Sequence, residues 1–334
     1  EMWHDLHRWT DAFVGEDDPD FRQSPQAMQA VMSEFIGFAY YSEVPVVLFD
    51  VQRVGPSTGM PTRTQQCDIQ LAAYASHGDT KHIVLFPADP KECFDMAVDA
   101  FDLAERFQTP VFVLSDLDIG MNDWMIEKLD WDDARQPDRG KVLHSEDLAK
   151  IDKFYRYLDV DGDGIPYRTI PGEDPKGAFF TRGSGHTKFG AYTEDSAAYM
   201  DVLERIARKW KNAADFVPMP VIRKAGKATP LAILSLGGCD GAVQEARLKA
   251  DGIELDYLRV RAFPFHHSVE DFIAEHDTVF VVEQNRDAQL RGLLINETSA
   301  EKKRIKSVLD WGGMPTDPRI ICNAVRAHIA ETQS

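Results

Sequence analysis

Strand-length apolar runs alternate along this chain with stretches whose apolar residues recur every three or four positions. "VPVVLFDV" (Val44–Val51) is a near-continuous apolar run, the pattern of a strand covered on both faces. "HIVLFPAD" (His82–Asp89) and "PVFVLSD" (Pro110–Asp116) repeat it. Between these two a helix is predicted after Pro90, with Cys93, Met96, Ala97, Ala100 and Phe101 as its apolar residues. No period is sustained from Gly120 to Thr193, after which a helix is predicted over about Ser196–Lys211. "FVPMPVIRKAGKATP" (Phe216–Pro230), rich in Pro and Gly, reads as a linker. Beyond it, "LAILSLGGCDGAVQEARLKA" reads as strand, glycine turn and helix, "LDYLRVRAFPF" and "TVFVVEQN" as strands, and "AVRAHIAE" as a terminal helix. The alternation predicts an α/β protein with parallel sheets in two domains, 1–215 and 216–334.

Composition narrows the function more by exclusion than by assignment. A chain of 334 residues can hold two domains without disulfides. Its net charge of −18 lacks the clustered positive charge that nucleic acid or an anionic membrane surface requires. No apolar run is long enough to span a bilayer. Cys67, Cys93, Cys239 and Cys322 form no CxxC or CxxH pair, so their spacing predicts neither an iron–sulfur cluster nor a structural zinc. Four scattered thiols suit a reducing, cytoplasmic setting. No signal peptide is visible, and the chain opens on Glu1 rather than Met.

Three stretches carry candidate chemistry. "GPSTGMPTR" (Gly55–Arg63) follows the first strand and has an arginine on either side of the turn. Ligands of α/β sheets collect at the carboxyl ends of strands. An arginine fork among the hydroxyls of Ser57, Thr58 and Thr62 suits a carboxylate, because parallel charge-assisted hydrogen bonds fix both orientation and charge; the alternative is a loop shaped only by its Gly and Pro. In "DVDGDGIPYRTI", Asp159, Asp161 and Asp163 alternate before Gly164 as in the first half of an EF-hand loop. The twelfth position is Ile170 rather than Glu, so an Asp/Gly turn is favoured over a divalent-cation site. The same stretch holds a GDG, the start of a thiamine-diphosphate Mg²⁺ motif, but no Asn occurs between Asn122 and Asn212 to complete it. Finally, Gly237, Gly238 and Gly241 follow a strand and open a helix. Their GGxxG spacing favours a tight turn over an anion site.

"DVQRVGPSTGMPTRTQQCD", with "MSEFIGFAYYSEVPVV", "SDLDIGMN", "FFTRGSGHTKFGAYTED" and "FVVEQNRDAQLR", resembles the alpha subunit of 2-oxoacid:ferredoxin oxidoreductases, most closely the 2-oxoglutarate type. The resemblance runs from about Val31 to the C-terminus. It implies a partial thiamine-diphosphate pyrimidine-type domain (1–215) followed by a transketolase C-terminal-like domain (216–334). It implies oxidative decarboxylation of a 2-oxoacid with CoA, the electrons passing to ferredoxin. It also implies a beta subunit that holds most of the thiamine diphosphate, its Mg²⁺ and a [4Fe–4S] cluster. By the same resemblance Arg53 and Thr62 bind the 2-oxoacid, and Ser57 and Thr58 shape the pocket. A YPITP-like motif and a pyrimidine-contacting glutamate, expected upstream, do not occur, and "RQSPQAMQAV" stands where a TSGPG-like turn is expected. Residues 1–30 thus read as a divergent beginning or the chain as a partial product. Pyruvate or a branched 2-oxoacid as substrate, and an inactive assembly subunit, are the rival expectations.

Overall fold

The structure is a computed structural model that describes residues 25–250 and 252–333; residues 1–24, most of the stretch expected to diverge, lie outside them. The chain enters through α1 (Pro25–Ser42) and β1 (Val46–Gln52), then α2 (Ile69–Ala73), β2 (Ile83–Leu85), α3 (Pro90–Phe107), β3 (Pro110–Asp116) and α4 (Leu117–Met121). The aperiodic region holds only short pieces, β4 (Val142–Leu143), α5 (Ser145–Leu148) and β5 (Arg168–Thr169), before α6 (Ser196–Asn212). There follow β6 (Val221–Arg223), β7 (Leu231–Leu236), α7 (Asp240–Leu248), β8 (Asp256–Val260), β9 (Ala262–Phe263), α8 (His267–Ala274), β10 (Thr278–Glu283), α9 (Gln289–Glu297), β11 (Ile305–Leu309) and α10 (Pro318–Gln333).

Two main sheets result, in the orders β1-β3-β2-β9 and β11-β10-β7-β8-β6. Both are parallel except at one edge each, where β9 runs against β2 and β6 against β8. Three departures from the sequence reading have simple causes. The linker contains β6, whose Val-Ile pair suits a short edge strand. The strand β9 comes from beyond residue 216 yet completes the first sheet. β1 is an edge strand among the described residues, and Phe49 and Val51 on one of its faces are exposed.

The helix α3 shows how local rules set an element. The Asp89 carboxylate accepts the Glu92 N–H, Pro90 opens the first turn, and Gln108 ends the helix in a left-handed conformation. Its buried seam is Met96, Ala100, Leu103, Ala104 and Phe107, at helical spacing, while Phe101 stands outside it and is exposed. The main core is shared by both sheets: Val84, Phe112 and Leu114 of the first pack in one cluster with Leu234, Leu258 and Val281 of the second.

A buried charge network ties the first unit together. Glu43, fully buried just after α1, faces Arg205 and Lys209 of α6; Arg205 Nη1 and Lys209 Nζ donate to its Oε2 at 3.1 and 2.9 Å. Arg156 Nη2 donates to the Glu43 carbonyl at 2.6 Å, and Lys209 reaches the carbonyl of Gln108 at 3.1 Å. Burial alone would raise the Glu43 pKa, but the two cations of α6 overcome it and hold the carboxyl down at about 2. Such a pair contributes little relative to an apolar core, yet breaking it strands the remaining charges. Glu43→Gln is expected to destabilise the protein by about 3–5 kcal/mol in urea unfolding at neutral pH. Because the folded pKa is depressed, the wild-type advantage is present above about pH 4.3 and is lost as pH falls toward 2. A change below about 1 kcal/mol would show that the network carries no such role.

Candidate active site

The carboxyl ends of β1 and β3 lie side by side, Gln52 opposite Asp116, and face the carboxyl ends of β7 and β10. The Gly55–Arg63 loop emerges at this junction. It is closed on itself: Val54 N–H donates to the Arg63 carbonyl at 3.0 Å, Met60 N–H to the Val54 carbonyl at 3.2 Å, and Arg63 N–H to the Met60 carbonyl at 3.0 Å. Gly59 has φ +50°, and a Cβ there would lie 2.1 Å from the Val54 carbonyl oxygen, so no other residue fits. Gly313, at φ +82°, backs the loop, with room for no side chain between it and Met60, Arg63 and Val54. Pro56, Ser57, Thr58 and Thr62 are thereby held at the surface.

The loop's far end is sewn to the second sheet by amides. Gln66 is fully buried; its N–H donates to the Gln284 carbonyl at 2.9 Å and its carbonyl accepts from Asn285 Nδ2 at 3.0 Å. Its Nε2 donates to the Leu236 carbonyl at 3.2 Å, and its Oε1 accepts from Gln284 N–H at 3.3 Å. Gln289 Nε2 adds a bond of 2.6 Å to the Cys67 carbonyl. The glycine turn after β7 serves this joint. At Gly237 a Cβ would sit 2.9 Å from Gln66 Nε2, and at Gly238 3.0 Å from an Asp116 carboxylate oxygen. These amides carried no sequence signal beyond the polar run "TQQ" and the stretch "FVVEQN".

Electrostatically the loop is exceptional. Among the described residues, Arg53 and Arg63 are the two arginines whose guanidinium groups have no partner. Every other arginine there pairs with a carboxylate or donates to a carbonyl oxygen. Both exposed guanidiniums flank one loop, and the Val54–Arg63 bond sets Arg63 beside the residue that follows Arg53. Such a pair can grip an anion with planar, two-pronged hydrogen bonds.

The acidic turn lies elsewhere, and its three carboxylates do not converge. Lys141 Nζ stands 2.7 Å from Asp161 and 2.8 Å from Asp163. Asp159 accepts from the N–H groups of Gly162 and Gly164 and from Arg208 at 3.0 Å. The protein's own cations thus face these carboxylates. Asp163 lies in a turn packed on α6 rather than at a strand end: a Cβ on Gly164 would sit 2.6 Å from the Lys209 nitrogen. No Asn lies between Asn122 and Asn212 to complete the GDG motif at this turn.

Burial pushes two carboxyls near the loop, Asp50 and Asp68, toward their neutral forms. Burial, then the neighbouring Asp68, pushes Asp50 on β1 up to about 6. Burial and Asp68 also push the Cys67 thiol up to about 12, so it remains an unreactive thiol whose Sγ–H donates to the Arg53 carbonyl at 3.2 Å. For a carboxyl with a raised folded pKa the sign is the reverse of Glu43: the penalty is absent below about pH 4, grows to pH 6 and is full above it. Asp50→Asn is therefore expected to stabilise this chain by about 1–2 kcal/mol at pH 7.5 and by nothing at pH 3.5, read as the shift in thermal midpoint. An equal shift at both pH values would contradict this.

Residues 29–151 match the family described as pyruvate flavodoxin/ferredoxin oxidoreductase, thiamine diP-binding. The chain is 33% identical over 310 residues to 2-oxoacid:ferredoxin oxidoreductase 2, subunit alpha, from Aeropyrum pernix, covering 91% of this chain and 47% of that one. It is 34% identical over 261 residues to the 2-oxoglutarate synthase subunit KorA of Archaeoglobus fulgidus, covering 77% of this chain and 65% of the relative. The structure of 2-oxoglutarate:ferredoxin oxidoreductase from Magnetococcus marinus with 2-oxoglutarate, coenzyme A and succinyl-CoA bound superposes with a TM-score of 0.75 at 30% identity, over 90% of this chain and 51% of that one. The chain spans about half the length of the Aeropyrum pernix and Magnetococcus marinus proteins. By sequence and by fold, this chain is a homologue of the alpha subunits of 2-oxoacid:ferredoxin oxidoreductases.

Proposed function

We propose that this chain is the alpha component of a 2-oxoglutarate:ferredoxin oxidoreductase and supplies the 2-oxoacid clamp. A 2-oxoacid and CoA give an acyl-CoA and CO₂, while two electrons pass singly to two oxidised ferredoxins and one proton is released. The observation that carries this reading is the pair of partnerless guanidiniums, Arg53 and Arg63, on one glycine-closed loop. In a chain of net charge −18, two uncompensated cations at a strand end are a standing attraction for a dianion. Arg53 takes the carboxylate beside the keto group, with Thr62 as a hydroxyl partner and Ser57 and Thr58 as pocket walls. Arg63 takes the distal carboxylate, which 2-oxoglutarate has and pyruvate and branched 2-oxoacids lack.

Thiamine diphosphate supplies the carbanion-stabilising chemistry when bound. Its diphosphate and Mg²⁺, and a [4Fe–4S] cluster, belong in this reading to a beta subunit. The unit 1–215 is the pyrimidine-type domain and 216–334 the transketolase C-terminal-like domain. The Asp159–Asp163 turn is structural, braced by Lys141 and Arg208. No helix of the described residues is long and apolar enough to cross a membrane; scattered free cysteines suit the cytoplasm.

The test is turnover by the assembled complex on 2-oxoglutarate and on pyruvate. Arg53→Lys keeps the charge but loses the planar fork, and is expected to cost about ten- to a hundredfold in kcat/KM on whichever 2-oxoacid is used. Arg63→Met is expected to cost a similar factor on 2-oxoglutarate alone and to leave pyruvate within about threefold. Thr62→Val should cost less, on the order of 1 kcal/mol. Wild-type kinetics in Arg53→Lys would move the substrate elsewhere; equal losses on both substrates in Arg63→Met would leave the choice of 2-oxoacid to other residues.

A further inference from the structure

At the opposite end of the first sheet, Asp215, His266 and His267 converge, each offering a ligand atom within 4.8 Å of the others. β9 runs antiparallel to β2 with Phe263 opposite Val84, so the residues after it emerge at the amino end of β2, beside Lys81. The clamp loop leaves the carboxyl end of β1, on the other side. Asp215 ends the short turn that follows α6, and aromatic packing holds the end of α6 to the β9–α8 segment. Trp210 and Phe263 have ring centroids 5.1 Å apart, and Phe263 and Phe265 5.2 Å. Asp215 and His267 line a cavity of about 810 Å³ whose walls include Tyr74, Lys81, Trp210 and Phe265.

We infer that Asp215, His266 and His267 form a binding site for one divalent first-row transition metal ion of the zinc class, at the mouth of this cavity. Two imidazoles and one carboxylate are borderline donors that suit zinc, cobalt or nickel rather than calcium or magnesium. Around a tetrahedral zinc, ligand atoms stand about 3.3 Å apart, so the three donors need close by at most about 1.5 Å through side-chain rotation. Neither the Asp215 carboxylate nor the His267 ring has a hydrogen-bonding partner among the described residues, and the His267 ring lies against that of His266, centroids 3.8 Å apart. His266 is partly committed: its Nδ1 caps α8, accepting from Ser268 N–H at 3.2 Å and lying 2.8 Å from Ser268 Oγ. Metal at Nε2 places the ring proton on Nδ1, which then donates to Ser268 Oγ, the orienting hydrogen bond that metal-bound histidines make. The lost cap costs about 1 kcal/mol, small beside the affinity of a three-ligand site. Three protein ligands leave one coordination position for water or a further ligand. The ion would brace α6 against the β9–α8 segment, which joins the two sheets in sequence.

The test uses the purified chain stripped with a chelator and titrated with Zn²⁺ by calorimetry and with Co²⁺ by visible absorption. One equivalent of Zn²⁺ is expected, together with the d–d band of a low-coordinate Co²⁺ site, and Ca²⁺ should not compete. Asp215→Asn and His267→Gln lie at exposed positions, so they should keep the metal-free melting temperature. Each should weaken Zn²⁺ binding by at least about tenfold, the least that losing even an outer-shell partner costs. If a variant lowers the metal-free melting temperature, the Co²⁺ band of the folded fraction still reports coordination directly. No stoichiometric binding, or variants that bind Zn²⁺ as the wild type does, would overturn the site and leave only weak surface-histidine binding.

Discussion

The position of the clamp loop rests on one buried glutamine. All four polar groups of Gln66, two on the backbone and two on the side chain, bond to residues at the carboxyl ends of β7 and β10. Fully desolvated amides are costly to leave unmade, so the joint tolerates one arrangement. The loop that begins at Arg53 therefore cannot drift independently of the second sheet. Gly237 and Gly313 follow from the same constraint: one makes room for the Gln66 amide, the other lets a distant turn back the loop. Preorganisation of this kind spends no ordering entropy when a ligand arrives.

Charge is handled differently at the centre and at the loop. In the interior, Glu43 is matched by Arg205 and Lys209; at the surface, the acidic turn is matched by Lys141 and Arg208. At the loop, two guanidiniums are left unmatched although acidic residues far outnumber basic ones in the chain. An unpaired exposed arginine is inexpensive, since water solvates it, but two flanking one rigid turn in an acidic protein are the feature on which the proposed anion clamp rests. Asp50 and Asp68 beneath them add a second tension, since burial favours their neutral forms.

What was legible in the sequence depended on range. β3 and the start of α3 were readable because an apolar run and an Asp-Pro cap are local signals. The loop at the end of β1 was readable because glycine, hydroxyl and arginine types crowd one strand end. Phe101 misled because a periodic apolar residue at a helix flank looks the same as one in the seam. The Gln66 joint was invisible: its partners lie about two hundred residues away, and glutamine has no periodic signature. Distance hides β9 too, two residues that pair with β2 far back in the chain, while Lys141, some twenty residues from the acidic turn, sits in a stretch with no periodic signal.

The most direct measurement is a structure of this chain in its assembled complex with 2-oxoglutarate bound. The carboxylate beside the keto group is expected within about 3 Å of the Arg53 guanidinium, in two-pronged contact, with the distal carboxylate on Arg63 and the loop unmoved. A 2-oxoacid bound with both carboxylates away from these two arginines would contradict the proposed clamp.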